Sequence, residues 1–218
     1  MARKRTADYD IQREKILEQA AHLFARGGYP GTSMNDVADA CGISKPALYH
    51  YVRDKYQLLV HICEHHIERL EAVVDEVAEL GLEPEPRLRT LVRRFVDEYS
   101  DAQDEHRVLT EDVKFLNEED HNRILAGERR VVAYLAQTVA ALRPEVGEAK
   151  LSKPLTMLLF GMINWMFTWL KPDGELDHAA MAPIVVDLFL GGLGAVRLEQ
   201  PATDKIEKIE LTGLTGDT

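Results

Sequence analysis

The sequence predicts an all-α protein, and three observations support this class. Apolar residues recur at the three- and four-residue spacing of amphipathic helices along most of the 218-residue chain. Capping residues and glycine or proline breaks separate these segments. No useful stretch alternates apolar and polar residues as a half-buried strand does. We therefore expect two helical domains, residues 1–55 and 56–197, followed by a flexible tail at 198–218.

The first element is a helix from Ile11 to Arg26. Gly27 and Gly28 stop it, and its apolar stripe consists of Ile16, Leu17, Ala20, Leu23 and Phe24. The preceding residues 1–9 are polar and basic, so we expect a mobile arm there.

Two short helices follow, and their caps can be read from the sequence. Ser33 is a good N-cap with Asp36 three residues on, close to the capping-box pattern. Gly42 supplies a residue that tolerates positive φ at the helix end. Ser44 then caps the next helix, and Pro46 fits its first turn. One apolar stripe runs along the first of the two, through Met34, Val37, Ala38 and Cys41.

Two short helices joined at a glycine, the second cationic and aromatic, are typical of a helix-turn-helix that enters the major groove of DNA. A helical hairpin inside an ordinary core is the alternative. Lys45 and His50 project as candidates for base edges, and Pro46 and Ala47 for a thymine methyl. Hydroxyl and ammonium groups are expected to bind phosphates. These phosphate candidates are Thr32, Ser33, Tyr49, Tyr51 and Lys55.

The net charge of −11 conflicts with DNA binding only until it is divided along the chain. Residues 1–55 hold nine Lys or Arg and seven Asp or Glu, a net charge of +2, which leaves −13 for the remainder. The asymmetry separates a DNA-facing end from a body that phosphates repel. The basic arm at 1–9 is also able to reach phosphates or the minor groove.

Further helices are expected over about 55–80, 87–102, 105–115 and 119–142, with breaks at 81–86 and at Arg143-Pro144. Two nearly all-apolar helices follow, at 154–170 and 179–196, separated by the turn 171–174. The first is shorter than the roughly 20 residues of a membrane span. We expect no membrane segment, and instead burial on both sides, against the core and against a second subunit of a homodimer.

Four stretches resemble the tetracycline-repressor (TetR) family of bacterial regulators: residues 20–29 (AAHLFARGGY), 32–38 (TSMNDVA), 42–51 (GISKPALYHY) and 55–59 (KYQLL). The family more often has Phe near Tyr51-Val52. The resemblance implies a three-helix DNA-binding domain, a C-terminal domain of about six helices and a homodimer. It also implies a repressor that leaves a palindromic operator when it binds a small effector.

Residues 160–174 (FGMINWMFTWLKPDG) and 111–116 are similar to a subgroup that controls fatty-acid, sterol or aromatic-acid catabolism. Several of its members respond to acyl-coenzyme A, so we expect a hydrophobic or acyl-CoA effector and no bound cofactor. Arg123, Arg129 and Arg130 are candidates for its anionic part. The candidate pocket walls are Ile62, His66, Leu70, Phe95, Phe115, Met157, Phe160, Met162 and Trp165. Packing of the Trp-rich helix in a dimer core is the alternative for that region.

Two other functions remain open at this point. His61 and His65, at i and i+4 beside His66, have a spacing that can hold zinc, so a metal-responsive regulator is one. A small all-α enzyme is the other, although no Gly-rich phosphate loop or Gly-x-Ser-x-Gly motif is present. We expect a regulator, not an enzyme, and a cytoplasmic location. Cys41 and Cys63 are expected to be reduced core residues.

Overall fold

The computed structural model describes residues 2–170 and 176–198, and the regular elements of these ranges are all helical, which confirms the predicted class. Two short 3₁₀ helices lie at Val113–Phe115 and Met166–Thr168. The ten α-helices are α1 (Ala2–Gly27), α2 (Met34–Cys41), α3 (Lys45–Leu48), α4 (Lys55–Glu79), α5 (Pro84–Asp101), α6 (Gln103–Asp112), α7 (Glu118–Leu142), α8 (Pro144–Glu148), α9 (Ser152–Asn164) and α10 (His178–Leu193).

Local capping builds the unit formed by α1, α2 and α3. The Ser33 Oγ accepts from the Asp36 N–H, and an Asp36 carboxylate oxygen accepts from the Ser33 N–H at 2.8 Å, so aspartate completes a capping box. Gly42 has φ 66° at the C-cap of α2, a conformation that favours glycine. The Ser44 Oγ caps α3 by accepting from the Ala47 N–H.

The first helix is longer than predicted. Residues 2–9, expected to form a mobile arm, lie in its first turns, because α1 begins at Ala2. Its buried face includes Ile16, Ala20 and Phe24, which are at most 1% exposed and pack with α2 and α3. Cys41 and Cys63 are free and buried in the core, as the sequence predicts.

The long helix α4 connects this unit to the rest of the molecule. The Asp54 carboxylate caps its start by accepting from the Gln57 N–H at 2.7 Å. From there α4 runs between α1, α5, α6 and α7 and contacts all four. A displacement of α4 therefore moves the N-terminal unit relative to the body.

The body consists of α5 to α10, in which α7 packs on α9 and α5 packs on α10. Proline at N1 begins α5 at Pro84, three residues before the predicted start. The sequence did not predict α8, and α9 ends at Asn164 instead of continuing to Leu170. The predicted turn at 171–174 and the flexible tail beyond residue 198 lie outside the described residues. Within 2–170 and 176–198, no helix is both long and apolar enough to cross a bilayer.

Candidate nucleic-acid interface and ligand cavity

The outer surface of α3 carries most of the side chains predicted to contact DNA. Ser33, Lys45, Pro46, Tyr49 and His50 are exposed, whereas Ala47 and Tyr51 are partly buried. The Tyr49 side chain is 46% exposed although it is a large aromatic group. This surface combines a cation, an imidazole, hydroxyls and a short helix, which are groups that bind phosphates and base edges.

Two of the predicted phosphate donors already form hydrogen bonds inside the domain. Thr32 is buried, and its hydroxyl lies within hydrogen-bond distance of the Leu23 and Gly28 carbonyl oxygens. The Lys55 ammonium donates to the carbonyl oxygens of Tyr29 and Thr32, both at 2.8 Å. It also lies 4.4 Å from the centre of the Tyr29 ring. Both side chains hold the loop before α2, so their hydrogen-bonding groups are already used within the domain.

No sequence pattern indicates the role of Tyr9. Its ring stacks on Tyr51 with centroids 4.8 Å apart, and its hydroxyl donates to the His50 carbonyl oxygen at 3.4 Å. The N-terminal part of α1 thereby supports the residues that follow α3. Only the fold brings these residues together, since they are about 40 positions apart in the chain.

A second set of contacts joins the N-terminal unit to the body near the start of α7. The Tyr56 hydroxyl donates to an Asp120 carboxylate oxygen at 2.6 Å and accepts from the Asn117 N–H at 3.0 Å. Phe115, predicted to line a pocket, packs instead on Tyr29 at this junction, with ring centroids 5.5 Å apart. It is 39% exposed and does not line the cavity, because the 3₁₀ helix turns it away from the core of the body.

A cavity of about 140 Å³ lies in the body between α4, α5, α6, α7 and α9. Its apolar lining consists of Ile67, Leu70, Leu109, Val131, Val132, Met157 and Phe160. Its polar lining consists of Tyr99, His106, Thr110, Glu128 and Asn164. Such a mixed wall of apolar side chains and a few polar groups is typical of small-molecule sites.

Three of the nine predicted pocket residues, Leu70, Met157 and Phe160, line this cavity. Phe95 lies behind the wall, with its ring 6.3 Å from that of Tyr99 and 5.9 Å from that of Phe160. The other predictions do not hold for this cavity. Ile62, buried in the core on another face of α4, lines a separate surface groove against α1. Met162 packs on the core, and Trp165 is 65% exposed, because their phases on α9 differ from that of Phe160.

His66 acts on the cavity indirectly, through His106. The His66 Nε2 lies 3.1 Å from the His106 Nδ1, and the His106 ring stacks on Tyr99 with centroids 4.0 Å apart. Burial lowers the pKa of His66 to about 3 and that of His106 to about 4, so both rings are neutral near pH 7.

The histidines proposed for zinc do not form a metal site. His66 is fully buried and faces His106, whereas His65 is exposed and lies 4.0 Å from Glu68. His61 lies 3.6 Å from Glu64. Within the described part of the chain, no group of three His, Cys, Asp or Glu side chains is arranged to hold a metal ion. The metal-responsive alternative therefore has no support.

The three candidate arginines differ in their surroundings. Arg123 pairs with Glu64 and Asp120, and Arg130 pairs with Glu71. Arg129 is exposed and forms no ion pair with any other described residue. Of the three, Arg129 is therefore the one whose guanidinium is not already held in a salt bridge.

Large apolar side chains are exposed on and directly after α9 and on α10. Leu158 on α9 and Trp165, directly after α9, are 66% and 65% exposed, and Leu188 on α10 is 65% exposed. Ile184 lies one turn before Leu188 and is 41% exposed. The sequence predicts burial of these helices on both sides, and in the single chain only the core side is buried. Exposed apolar surface of this kind is typical of a subunit interface.

Two family models match the chain. The model described as bacterial regulatory proteins, tetR family, matches residues 16–62, which include the candidate interface. The model described as tetracyclin repressor-like, C-terminal domain, matches residues 81–193, which include α5 to α10.

Named relatives include two regulators of Mycolicibacterium smegmatis. The HTH-type transcriptional activator FasR is 31% identical over 88 residues, which are 40% of this chain and 40% of FasR. The HTH-type transcriptional repressor KstR2 is 25% identical over 193 residues, which cover 84% of this chain and 90% of KstR2. The chain thus matches less than half the length of FasR and most of KstR2.

Solved structures share the fold along most of the chain. A TetR-family transcriptional regulator from Bordetella parapertussis 12822 has 36% identity and a TM-score of 0.79, covering 85% of this chain and 97% of its own. AibR in complex with isovaleryl coenzyme A and operator DNA has 27% identity and a TM-score of 0.68. That superposition covers 83% of this chain and 97% of AibR.

Proposed function

Because the chain belongs to the tetR family of bacterial regulatory proteins, we propose that it is a transcriptional repressor released from its operator by an acyl-CoA-type effector. The observation that carries this function is the exposed α3 surface, with Lys45, Tyr49 and His50 outward, joined through α4 to a body with a ligand cavity. A regulator of this kind works in the cytoplasm on double-stranded DNA, and it needs no catalytic residue and no bound cofactor.

Different side chains at and around α3 bind the phosphates and the bases of DNA. Ser33, Tyr49 and Tyr51 bind phosphates and fix the position of the helix on the duplex. Lys45 and His50 read base edges, and Pro46 and Ala47 contact a thymine methyl. The net charge of +2 on residues 1–55 supports this orientation, because the acidic body is repelled by the same phosphates.

A homodimer presents two such surfaces to a palindromic operator. Half-sites about one helical turn apart require the two α3 helices to lie roughly 34–36 Å from one another. The exposed apolar face on α9 and α10 supports a subunit contact there, through Leu158, Trp165, Ile184 and Leu188. Large exposed apolar side chains on two helices that pack together are costly to leave in water and favour a second copy.

The solved AibR complex holds isovaleryl coenzyme A, and this chain shares its fold at 27% identity. The mixed lining of the cavity in this chain suits an acyl group. Arg129 is the candidate for the anionic coenzyme A moiety, because it is exposed and is not held in a salt bridge as Arg123 and Arg130 are.

Two helices connect the cavity to the DNA-binding surface. Ile67 and Leu70 of α4 line the cavity, and the same helix begins at Lys55 beside the loop before α2. His106 lies in α6, whose residue Asp104 contacts His22 of α1 with 2.8 Å between Oδ2 and Nδ1. An effector that binds the displaced arrangement of these helices better than the DNA-competent one shifts the equilibrium away from DNA.

The test is a fluorescence anisotropy titration of the protein on DNA from the region upstream of its own gene. Tight, saturable binding that isovaleryl coenzyme A reverses, and that coenzyme A alone leaves intact, is the expected result. Binding unaffected by isovaleryl, butyryl, 3-hydroxybutyryl and decanoyl thioesters would contradict the effector class while leaving the DNA-binding role standing. No binding to that DNA, or to any fragment selected from the genome, would contradict the function itself.

A further inference from the structure

One side of the cavity carries hydrogen-bond acceptors, and an unsubstituted acyl chain offers them no donor. Glu128 lines the cavity and, within the described part of the chain, forms neither a hydrogen bond nor an ion pair. The Asn164 Oδ1 is buried without a hydrogen-bond partner in the protein. A ligand that covers these groups must offer them hydrogen bonds or lose affinity, because a buried polar group without a partner is costly.

The charge of the lining limits what the ligand can place there. Of the described residues around the cavity, none is lysine or arginine, and burial holds His106 neutral. The Glu128 carboxyl is the one acidic group of the lining, and burial raises its pKa. A second carboxylate placed beside it would be desolvated and repelled by Glu128 in a lining without lysine or arginine, which disfavours the free acid as the buried end.

The volume of the cavity limits the size of the buried end. A cavity of about 140 Å³ is close to the roughly 150 Å³ that accepts a benzene molecule, or about six non-hydrogen atoms. A long acyl chain or a steroid nucleus exceeds this space several-fold, whereas a four-carbon acyl group with one further oxygen fits.

We propose that the buried end of the effector is a short acyl group of about four to six carbons that carries a hydroxyl, whose O–H donates to one of the two acceptors, the Glu128 carboxylate or the Asn164 Oδ1. The apolar part of the acyl group packs on Leu70, Val131 and Phe160, on the other side of the cavity. This inference rests on the proposed function, since it takes the cavity as the effector site and a thioester as the effector.

A polar pocket of this kind discriminates strongly against the analogue that lacks the hydroxyl. A buried acceptor left unpaired loses its hydration without compensation, so the plain acyl group binds at least about tenfold more weakly. Replacing Glu128 with leucine removes the acceptor and leaves a wall of similar volume, which suits the plain acyl group instead.

The experiment is isothermal titration calorimetry with 3-hydroxybutyryl, butyryl and decanoyl coenzyme A. We expect the wild type to bind the hydroxy thioester at least about tenfold more tightly than the butyryl thioester, and the decanoyl thioester most weakly. In Glu128→Leu the preference for the hydroxyl falls to less than about threefold, whereas Glu119→Leu, an exposed position on the same helix, retains it. Asn164→Leu is the second variant and reduces the preference in the same direction.

Equal affinity of the wild type for hydroxybutyryl and butyryl thioesters overturns the hydroxyl requirement and leaves the proposed function intact. A preference that persists in both Glu128→Leu and Asn164→Leu overturns the assignment of these residues. If no thioester binds, the effector class is wrong. The hydrogen-bonding role of Glu128 and Asn164 is then tested by saturation-transfer NMR with free cyclohexanol and methylcyclohexane. Equal saturation-transfer signals from the two compounds would overturn the inference.

Discussion

The ring of Tyr29 in the N-terminal unit packs against the ring of Phe115, which follows α6 in the body, with centroids 5.5 Å apart. Tyr29 also offers its carbonyl oxygen to the Lys55 ammonium at the start of α4. The loop before α2 is therefore held by α4 and by the end of the helix that carries His106 and Thr110 into the cavity. A shift of α6 would therefore move Phe115 and, through the ring contact, the Tyr29 loop of the DNA-binding unit.

Phe115→Ala is expected to uncouple effector binding from DNA release. The ring is 39% exposed, so its removal costs less stability than the roughly 3–5 kcal/mol of a fully buried phenylalanine. Effector affinity by calorimetry remains close to wild type, while the effector concentration that releases DNA rises several-fold. Phe115→Tyr, which retains the ring, is the matched control. Unchanged release in Phe115→Ala would show that this contact does not carry the signal.

The buried histidine pair predicts a pH dependence of stability. The pKa values of His66 and His106 are lowered from 6.5 to about 3 and about 4, so below pH 6.5 the unfolded chain binds protons that the folded protein does not. The free energy of unfolding therefore falls as the pH drops from 6.5 towards 4, by about 1 kcal/mol per pH unit for each histidine. Well above pH 6.5 both histidines are neutral in the folded and the unfolded protein, so they no longer change the free energy of unfolding with pH.

Urea unfolding at several pH values tests this linkage. His106→Gln is expected to flatten the slope between pH 4 and 6.5 by about 1 kcal/mol per pH unit, whatever its effect on absolute stability. The exposed His65 provides the control, and His65→Gln retains the wild-type slope. Comparison with wild type cancels the contribution of Glu128, whose raised pKa acts in the opposite direction. An identical slope in His106→Gln would contradict a buried neutral pair.

The close contact between α4 and α7 depends on Gly127. A Cβ at this position would overlap the Ile67 Cγ2 on α4, so Gly127→Ala pushes the two helices apart beside the cavity. We expect a loss of about 1–3 kcal/mol in the free energy of unfolding, measured with urea. Combining it with Ile67→Ala relieves the overlap, so the double variant is more stable than the sum of the two single effects. Strict additivity would contradict this packing.

The apolar face of α9 and α10 predicts the oligomeric state. Leu188→Glu places a charge on the proposed subunit contact and is expected to give a monomer by sedimentation equilibrium, with unchanged helical circular dichroism. Leu80→Glu, at an exposed apolar position that ends α4, is the control and remains dimeric. DNA affinity falls with the dimer, because one half-site then binds alone. A dimeric Leu188→Glu would place the subunit contact elsewhere.

The parts of the fold that depend on neighbouring residues could be predicted from the sequence. Ser33, Gly42, Ser44 and Asp54 mark helix ends through bonds to atoms two to four positions away, and the helices begin and end where these residues predict. The exposure of the α3 surface could be predicted because the apolar residues of the two short helices lie on the opposite, inward side. The apolar character of α9 and α10 was visible from composition alone.

The remaining parts depend on contacts between distant residues. Lys55 reads as a phosphate donor in the sequence, but its ammonium binds carbonyl groups 23 and 26 residues away. Phe115 reads as a pocket wall, but the 3₁₀ helix that follows α6 turns it towards Tyr29. His106 and Tyr99 were missed because the rotation of α5 and α6 relative to α7 is fixed by packing, which one sequence does not display.

The most direct test of the DNA-binding surface is DNase I footprinting of the region upstream of the gene with wild type and Tyr49→Ala. Wild type is expected to protect a pseudo-palindrome whose half-sites are centred about one helical turn apart. Tyr49→Ala should lose this protection with little change in thermal stability, because the Tyr49 side chain is 46% exposed. Full protection by a folded Tyr49→Ala, at the wild-type protein concentration, would contradict the assignment of α3 as the DNA-binding helix.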